Sequence, residues 1–173
     1  MKSYFFLILS IVIWGLLACE NSSKSTTQST IESMKTEDLY LEGENYYLGI
    51  NDKNKDYKKA FEILKKAAER GHTKAQIDLA QMYYDGVGTT VDYEQAFFWL
   101  QKAAKSGEPA ALYNLGVIYK EGKYVKQDNM QALKYFEESA QKGFSEAQFA
   151  LGTMYYHGDG VEEDEEKGID LYM

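Results

Sequence analysis

Beyond position 19 this sequence contains no cysteine, so no disulfide staples the body of the chain and no thiolate can hold a metal there. Proline occurs once, at Pro109. Histidine occurs twice, at His72 and His157, and neither has a second histidine at metal-ligand spacing. Positive charge is in deficit: 19 lysines and arginines stand against 27 carboxylates, a formal net charge of −8, and no Lys/Arg stripe runs along the chain. That balance argues against a nucleic-acid partner. No serine or cysteine has a base placed beside it in the sequence pattern. Gly86 and Gly88, like Gly158 and Gly160, follow no strand and precede no Gly-Lys-Ser/Thr, so they do not form a phosphate loop. His157 is near Asp159, Glu162 and Glu163, but the stretch lacks the alternating oxygen ligands of a calcium loop and reads as a solvated acidic turn. These gaps leave no expected catalytic residue, metal or cofactor, and the chain is expected not to be an enzyme.

What is present begins with a leader. Lys2 precedes an apolar run over residues 4–17, broken by Ser10 and Gly15. The run is short for a membrane span of roughly 20 residues, and the layout is that of a secretory signal peptide covering residues 1–18. Leu16-Leu17-Ala18-Cys19 resembles a bacterial lipobox. On that reading Cys19 is lipidated, becomes the mature N-terminus and attaches the chain to a membrane of the cell envelope. The alternative is an uncleaved anchor helix. Residues 19–37 are rich in serine and threonine, with few apolar side chains, and read as a flexible tether.

From residue 38 the chain repeats with a constant period of 36. Gly71, Gly107 and Gly143 keep it, as do Tyr83, Tyr119 and Tyr155, and Gly86, Gly122 and Gly158. Asp56, Asp92, Asp128 and Asp164 supply four members. A fixed period of this length indicates stacked supersecondary units. Each unit reads as two helices. In the third, Ala111, Leu115, Ile118 and Tyr119 fall at helical spacing after Pro109, and Gly122 supplies the stop. Asp128 with Gln131, and Asp92 with Gln95, have N-cap and N3 spacing for the second helix. Small residues recur where helices would cross: Ala75, Ala111 and Ala147, then Ala80, Gly116 and Gly152. Most of the repeated positions are therefore explained by stacking.

The pattern Ala75-Leu79-Ala80-Tyr83-Gly86 followed by Asp92-Ala96-Ala104-Gly107 recurs as Ala111-Leu115-Gly116-Tyr119-Gly122 and Asp128-Ala132-Ala140-Gly143, and opens again at Ala147-Leu151-Gly152-Tyr155-Gly158. It resembles the Sel-one-like repeat, a relative of the tetratricopeptide repeat. The resemblance implies an all-α fold, a right-handed α-solenoid of stacked antiparallel helix pairs, with units at 38–73, 74–109, 110–145 and an incomplete 146–173. It also implies an interaction scaffold or adaptor for other proteins. Some cysteine-rich members of that family bind or hydrolyse β-lactams; the absence of repeat cysteines and of a Ser-x-x-Lys in the folded part disfavours that reading. Tyr124 departs from the pattern, standing where the other turns carry Gly88 and Gly160, and its turn is expected to have a different backbone.

Two further expectations concern surfaces. Ile169 and Tyr172 fall in phase with Leu133 and Phe136, on the packing side of a last helix that the chain leaves uncovered after Met173. Self-association, or marginal order after about Glu163, is expected there. In tetratricopeptide arrays the first helix of each pair lines the concave face. Its columns outside the stacking pattern are Ile77, Tyr113 and Phe149; Tyr84, Lys120 and Tyr156; and Gln81, Val117 and Thr153. These nine positions are unusually apolar for a solvated face. They form the expected track for an extended peptide of a partner protein, anchored on Tyr84 and Tyr156, with Lys120 meeting a carboxylate. The competing reading of Ile77, Tyr113 and Phe149 is that they pack neighbouring helices.

Overall fold

Four aspartates at the repeat period each open a helix. The side chains of Asp56, Asp92, Asp128 and Asp164 accept the backbone N–H of Lys59, Gln95, Gln131 and Lys167 at 2.9–3.0 Å. Each satisfies an amide that the first turn would otherwise leave without a partner. The computed structural model that shows this describes residues 31–171; Cys19 and Tyr172 lie outside the described residues. Eight helices run from residue 36: α1 Thr36–Leu48, α2 Tyr57–Glu69, α3 Thr73–Asp85, α4 Tyr93–Ala104, α5 Pro109–Glu121, α6 Asn129–Gln141, α7 Ser145–His157 and α8 Glu165–Asp170. No strand occurs among the described residues. Each helix packs on the one before it, giving the right-handed solenoid of antiparallel pairs that the resemblance implies.

The odd-numbered helices stop on glycines in the left-handed region, Gly49, Gly86, Gly122 and Gly158, with φ between 68° and 72°. The short turn that follows is bonded alike in successive units. Val87 N–H donates to Met82 O and Asp92 N–H to Tyr83 O; Lys123 N–H donates to Ile118 O and Asp128 N–H to Tyr119 O. This corrects the expectation for Tyr124. Its φ is 66°, close to the 72° of Gly88 and the 77° of Gly160, so the backbone of its turn matches theirs. The hydrogen bonds on either side hold a side-chain-bearing residue where glycine is easier.

Alanine fills the crossings. Ala60, Ala96 and Ala132, like Ala75, Ala111 and Ala147, are fully buried. A methyl group at Gly116 would lie 2.6 Å from the Phe136 ring, so α5 and α6 approach more closely than a larger residue allows. Leu79, Leu100, Leu115, Phe136 and Leu151 fill the space beside the crossings, each worth roughly 1.5–3 kcal/mol when fully buried. The buried residues form two clusters, one running from Leu39 to Ile118 and one joining Ala132, Phe136, Leu151 and Met154.

At the N-terminal end, Ile31 and Met34 pack against the first cluster, and the Arg70 guanidinium donates to the carbonyls of Met34 at 2.6 Å and Glu32 at 2.9 Å. Residues 31–35, assigned to the tether from composition, thus lie against the first helix pair. His72 caps α3: its Nδ1 accepts from Ala75 N–H at 3.1 Å and its Nε2 meets Glu37 at 3.0 Å, while its ring stacks on Tyr40 at 4.3 Å. At the other end Ile169 is about half exposed on α8. The Tyr172 expectation lies outside the described residues.

Candidate binding groove

Because successive helices pack on one another, α3 and α5 are joined through α4 and leave a gap on the side the odd helices share. The gap measures about 260 Å³. Ala80, Gln81 and Tyr84 of α3 form one wall; Tyr113, Asn114 and Val117 of α5 form the other; Leu100 of α4 is the floor. Ala80 leaves the space open.

Four of the nine residues singled out in the sequence, Gln81, Tyr84, Tyr113 and Val117, meet here. The other five do not line this groove. Ile77 is half-buried against the first core cluster, which agrees with its packing reading. Phe149, Thr153 and Tyr156 belong to α7; Phe149 is 64% exposed, the Thr153 hydroxyl donates to the Phe149 carbonyl at 3.0 Å, and Tyr156 packs edge-on to His157. Ala80, Leu100 and Asn114 were missed as lining. Ala80 and Leu100 carry the stacking pattern, and the same small and apolar residues that build the crossing also shape the gap above it.

The column of Tyr84 and Lys120 requires a correction, because both reach into the next unit. The Tyr84 hydroxyl donates to Glu121, and its ring packs edge-on to Tyr93 at 5.2 Å. The Lys120 ammonium lies 3.7 Å from Asp159, a half-exposed pair of small energetic weight. Neither side chain is independent of stacking, as the column spacing suggested. Tyr113 is also braced, with ring centroids 5.5 Å from both Phe136 and Phe144.

The electrostatics of the groove are acidic. Gln81 donates to Asp85 at 2.7 Å. Burial, then the hydrogen bond to Glu121, pushes the Tyr84 hydroxyl well above the ordinary tyrosine range; burial, then Glu146 and Glu121, raises Tyr113. Both phenols stay protonated and able to donate at neutral pH. An apolar floor, two rigid phenol rings and a rim carrying Asp85 and Glu121 suit a side chain with an apolar stem and a cationic end. Among the described residues no group of three or more His, Cys, Asp or Glu is arranged to hold a metal, and no helix is long and apolar enough to cross a membrane.

Comparison with known proteins agrees with this architecture. The Sel1 repeat family model matches residues 39–72, 73–108, 109–144 and 145–172. The crystal structure of a protective antigen present in uropathogenic Escherichia coli strains, displaying an SLR fold, superposes with a TM-score of 0.76 at 36% identity, over 86% of this chain and 32% of that one. A Sel1 repeat protein from Oxalobacter formigenes gives 0.74 at 31% identity, over 80% and 56%. Helicobacter pylori cysteine rich protein B gives 0.52 at 26% identity, over 68% and 84%. The chain therefore spans about a third of the first of these proteins and just over half of the second. No curated protein matches it.

Proposed function

The chain belongs to the Sel1 repeat family, and from that premise we propose that it is a non-catalytic scaffold that binds a segment of another protein in the groove between α3 and α5. The observation that carries the reading is the groove itself: an opening floored by Leu100, walled by Tyr84 and Tyr113, and rimmed by Asp85 and Glu121. The segment it fits is extended, with an apolar side chain and a lysine or arginine close by. Lys120 is paired toward Asp159, so the acidic rim, and not a lysine, selects the partner's charge. The scaffold is held at a membrane of the bacterial cell envelope through a lipid on Cys19; the lipobox-like Leu16-Leu17-Ala18-Cys19 supports this attachment.

A photo-crosslinking residue at Val117, in the groove, and another at Phe98, a half-exposed position on α4, test the site in cells. Adducts are expected from Val117, and a bulky Gln81→Trp at the exposed rim should suppress them. Adducts from Phe98 alone would move the binding surface elsewhere. Hydrolysis of nitrocefin by the purified protein would overturn the non-catalytic reading.

A further inference from the structure

The turn between α1 and α2 combines exposed apolar side chains with a cluster of lysines. Tyr47, Leu48, Ile50 and Tyr57 are large apolar side chains, each more than a third exposed. The Tyr47 and Tyr57 rings are 5.3 Å apart, and Gly49, between Leu48 and Ile50, folds the chain so that Lys55 lies against it. Beside them is an open hollow of about 620 Å³ lined by Tyr46, Tyr57, Lys53, Lys55 and Lys59. The ammonium groups of Lys53 and Lys59 stand 5.1 and 4.2 Å from the Tyr46 ring, and that of Lys55 5.6 Å from Tyr57. Lys58 is exposed next to it, on the side of Glu62 and the following turn at residues 88–90. The opposing charges are few. Asp52, Asn54 and Asp56 also line the hollow, Asp56 being engaged in capping α2, and Glu42 pairs with Lys53 at 3.1 Å.

Charge is also polarised along the solenoid. The first turn, residues 49–59, carries four lysines against two aspartates. The corresponding turn of the last unit, residues 158–167, carries one lysine against six carboxylates. A negatively charged surface therefore attracts the first turn and repels the far end.

We infer that the α1–α2 turn is a membrane-contact surface for anionic phospholipid headgroups. Tyr47, Leu48, Ile50 and Tyr57 enter the boundary between headgroups and acyl chains, where amphipathic aromatic rings are favoured. Lys53, Lys55, Lys58 and Lys59 remain at the level of the phosphates, their stems along the tyrosine rings. Charge complementarity selects this occupant: a protein groove would be met by a defined complementary shape, whereas a diffuse ring of lysines around a tip of mixed aliphatic and aromatic side chains matches a fluid, laterally uniform anionic face.

The inference does not depend on Cys19, and its test reads the turn directly, whatever holds the chain to a vesicle. Hydrogen exchange of the full chain is compared on vesicles of phosphatidylcholine alone and on vesicles also containing phosphatidylglycerol. Amides of residues 47–59 should exchange several-fold more slowly on the anionic vesicles only, with the acidic turn at residues 158–167 unchanged. Added salt should reverse the effect. Lys55→Glu with Lys58→Glu, which leaves the Lys53–Glu42 pair and the Lys59 contact with Tyr46 in place, should abolish it. Equal exchange on both vesicle types, or protection that survives the charge reversal, would refute the membrane contact. Protection that grows with protein concentration without vesicles would assign the surface to contact between copies instead.

Discussion

Asp78→Asn should stabilise the protein, by an amount that depends on pH. Asp78, on α3, is placed between the first and second units beside Tyr40 and Glu44 of α1. Burial, then the charge of Glu44, raises its carboxyl to about 6 from an ordinary value of 3.8; Tyr40, His72 and Lys74 oppose the shift without cancelling it. A carboxyl whose folded value exceeds its unfolded one favours the fold when protonated. That contribution is complete below pH 3.8, falls as pH rises through 6, and is gone above it. A shift of about 2.2 units corresponds to about 3 kcal/mol at 1.36 kcal/mol per unit. Asparagine has the same shape, keeps an acceptor for Tyr40 and never pays for ionisation; the chain itself carries Asn114 at this position one unit later. Urea midpoints of wild type and Asp78→Asn are compared at steps from pH 3.5 to pH 8. The difference should be near zero at the acid end, grow between pH 4 and pH 6, and level off at about 3 kcal/mol in favour of asparagine. Titrating groups that do not interact with Asp78 are common to both proteins and cancel. A difference that does not vary with pH, or a variant less stable at pH 7, would refute this account of the Asp78 site.

Gly88→Ala should cost about 3 kcal/mol, because the added methyl meets the Tyr57 carbonyl oxygen and the backbone φ is 72°. Gly71→Ala, where φ is 91° but nothing lies within 4 Å, should cost only about 1 kcal/mol; equal costs in thermal melts would show that contact at Gly88 is unimportant. Asp128→Ala removes the cap on Gln131 N–H and should lose about 1 kcal/mol in denaturant titration, with Asp128→Ser recovering most of it. Cys19→Ser should shift the protein out of the membrane fraction or leave an unprocessed leader, and unchanged fractionation and mass would dismiss the lipid.

The helices and their junctions were readable because local chemistry fixes them. Aspartate at an N-cap, glycine in a left-handed stop and alanine at a crossing each act within a few residues, and the period of 36 multiplied the signal. Tyr124 was misread because identity at one position was taken for backbone shape, whereas hydrogen bonds to Ile118 and Tyr119 on either side determine it. The groove was half legible. Column spacing identifies which side chains share a face, and four of nine proved to line one gap. Spacing does not show what the next unit brings against them, so the engagement of Tyr84 by Glu121 and of Lys120 by Asp159 was invisible. The lysines of the first turn escaped notice because Asp52 and Asp56 are interspersed with them in sequence; only the fold sets them beside Tyr46 and Tyr57.

The grip of Arg70 on the carbonyls of Glu32 and Met34 has a mechanical consequence. If the chain is held through Cys19 as proposed, drag on a bound partner reaches the described residues as tension from the side of residue 31. Without the clamp, force would act directly on the first turn of α1 and open the helix one hydrogen bond at a time. With it, the load divides between two charge-assisted bonds pulled together, and passes into α2 through Arg70. Ile31 and Met34 must leave the core surface before α1 is exposed to the pull. Bonds loaded in parallel share a force that bonds loaded in series must each bear in full, so the fold meets tension at a fastened seam and not at a fraying end.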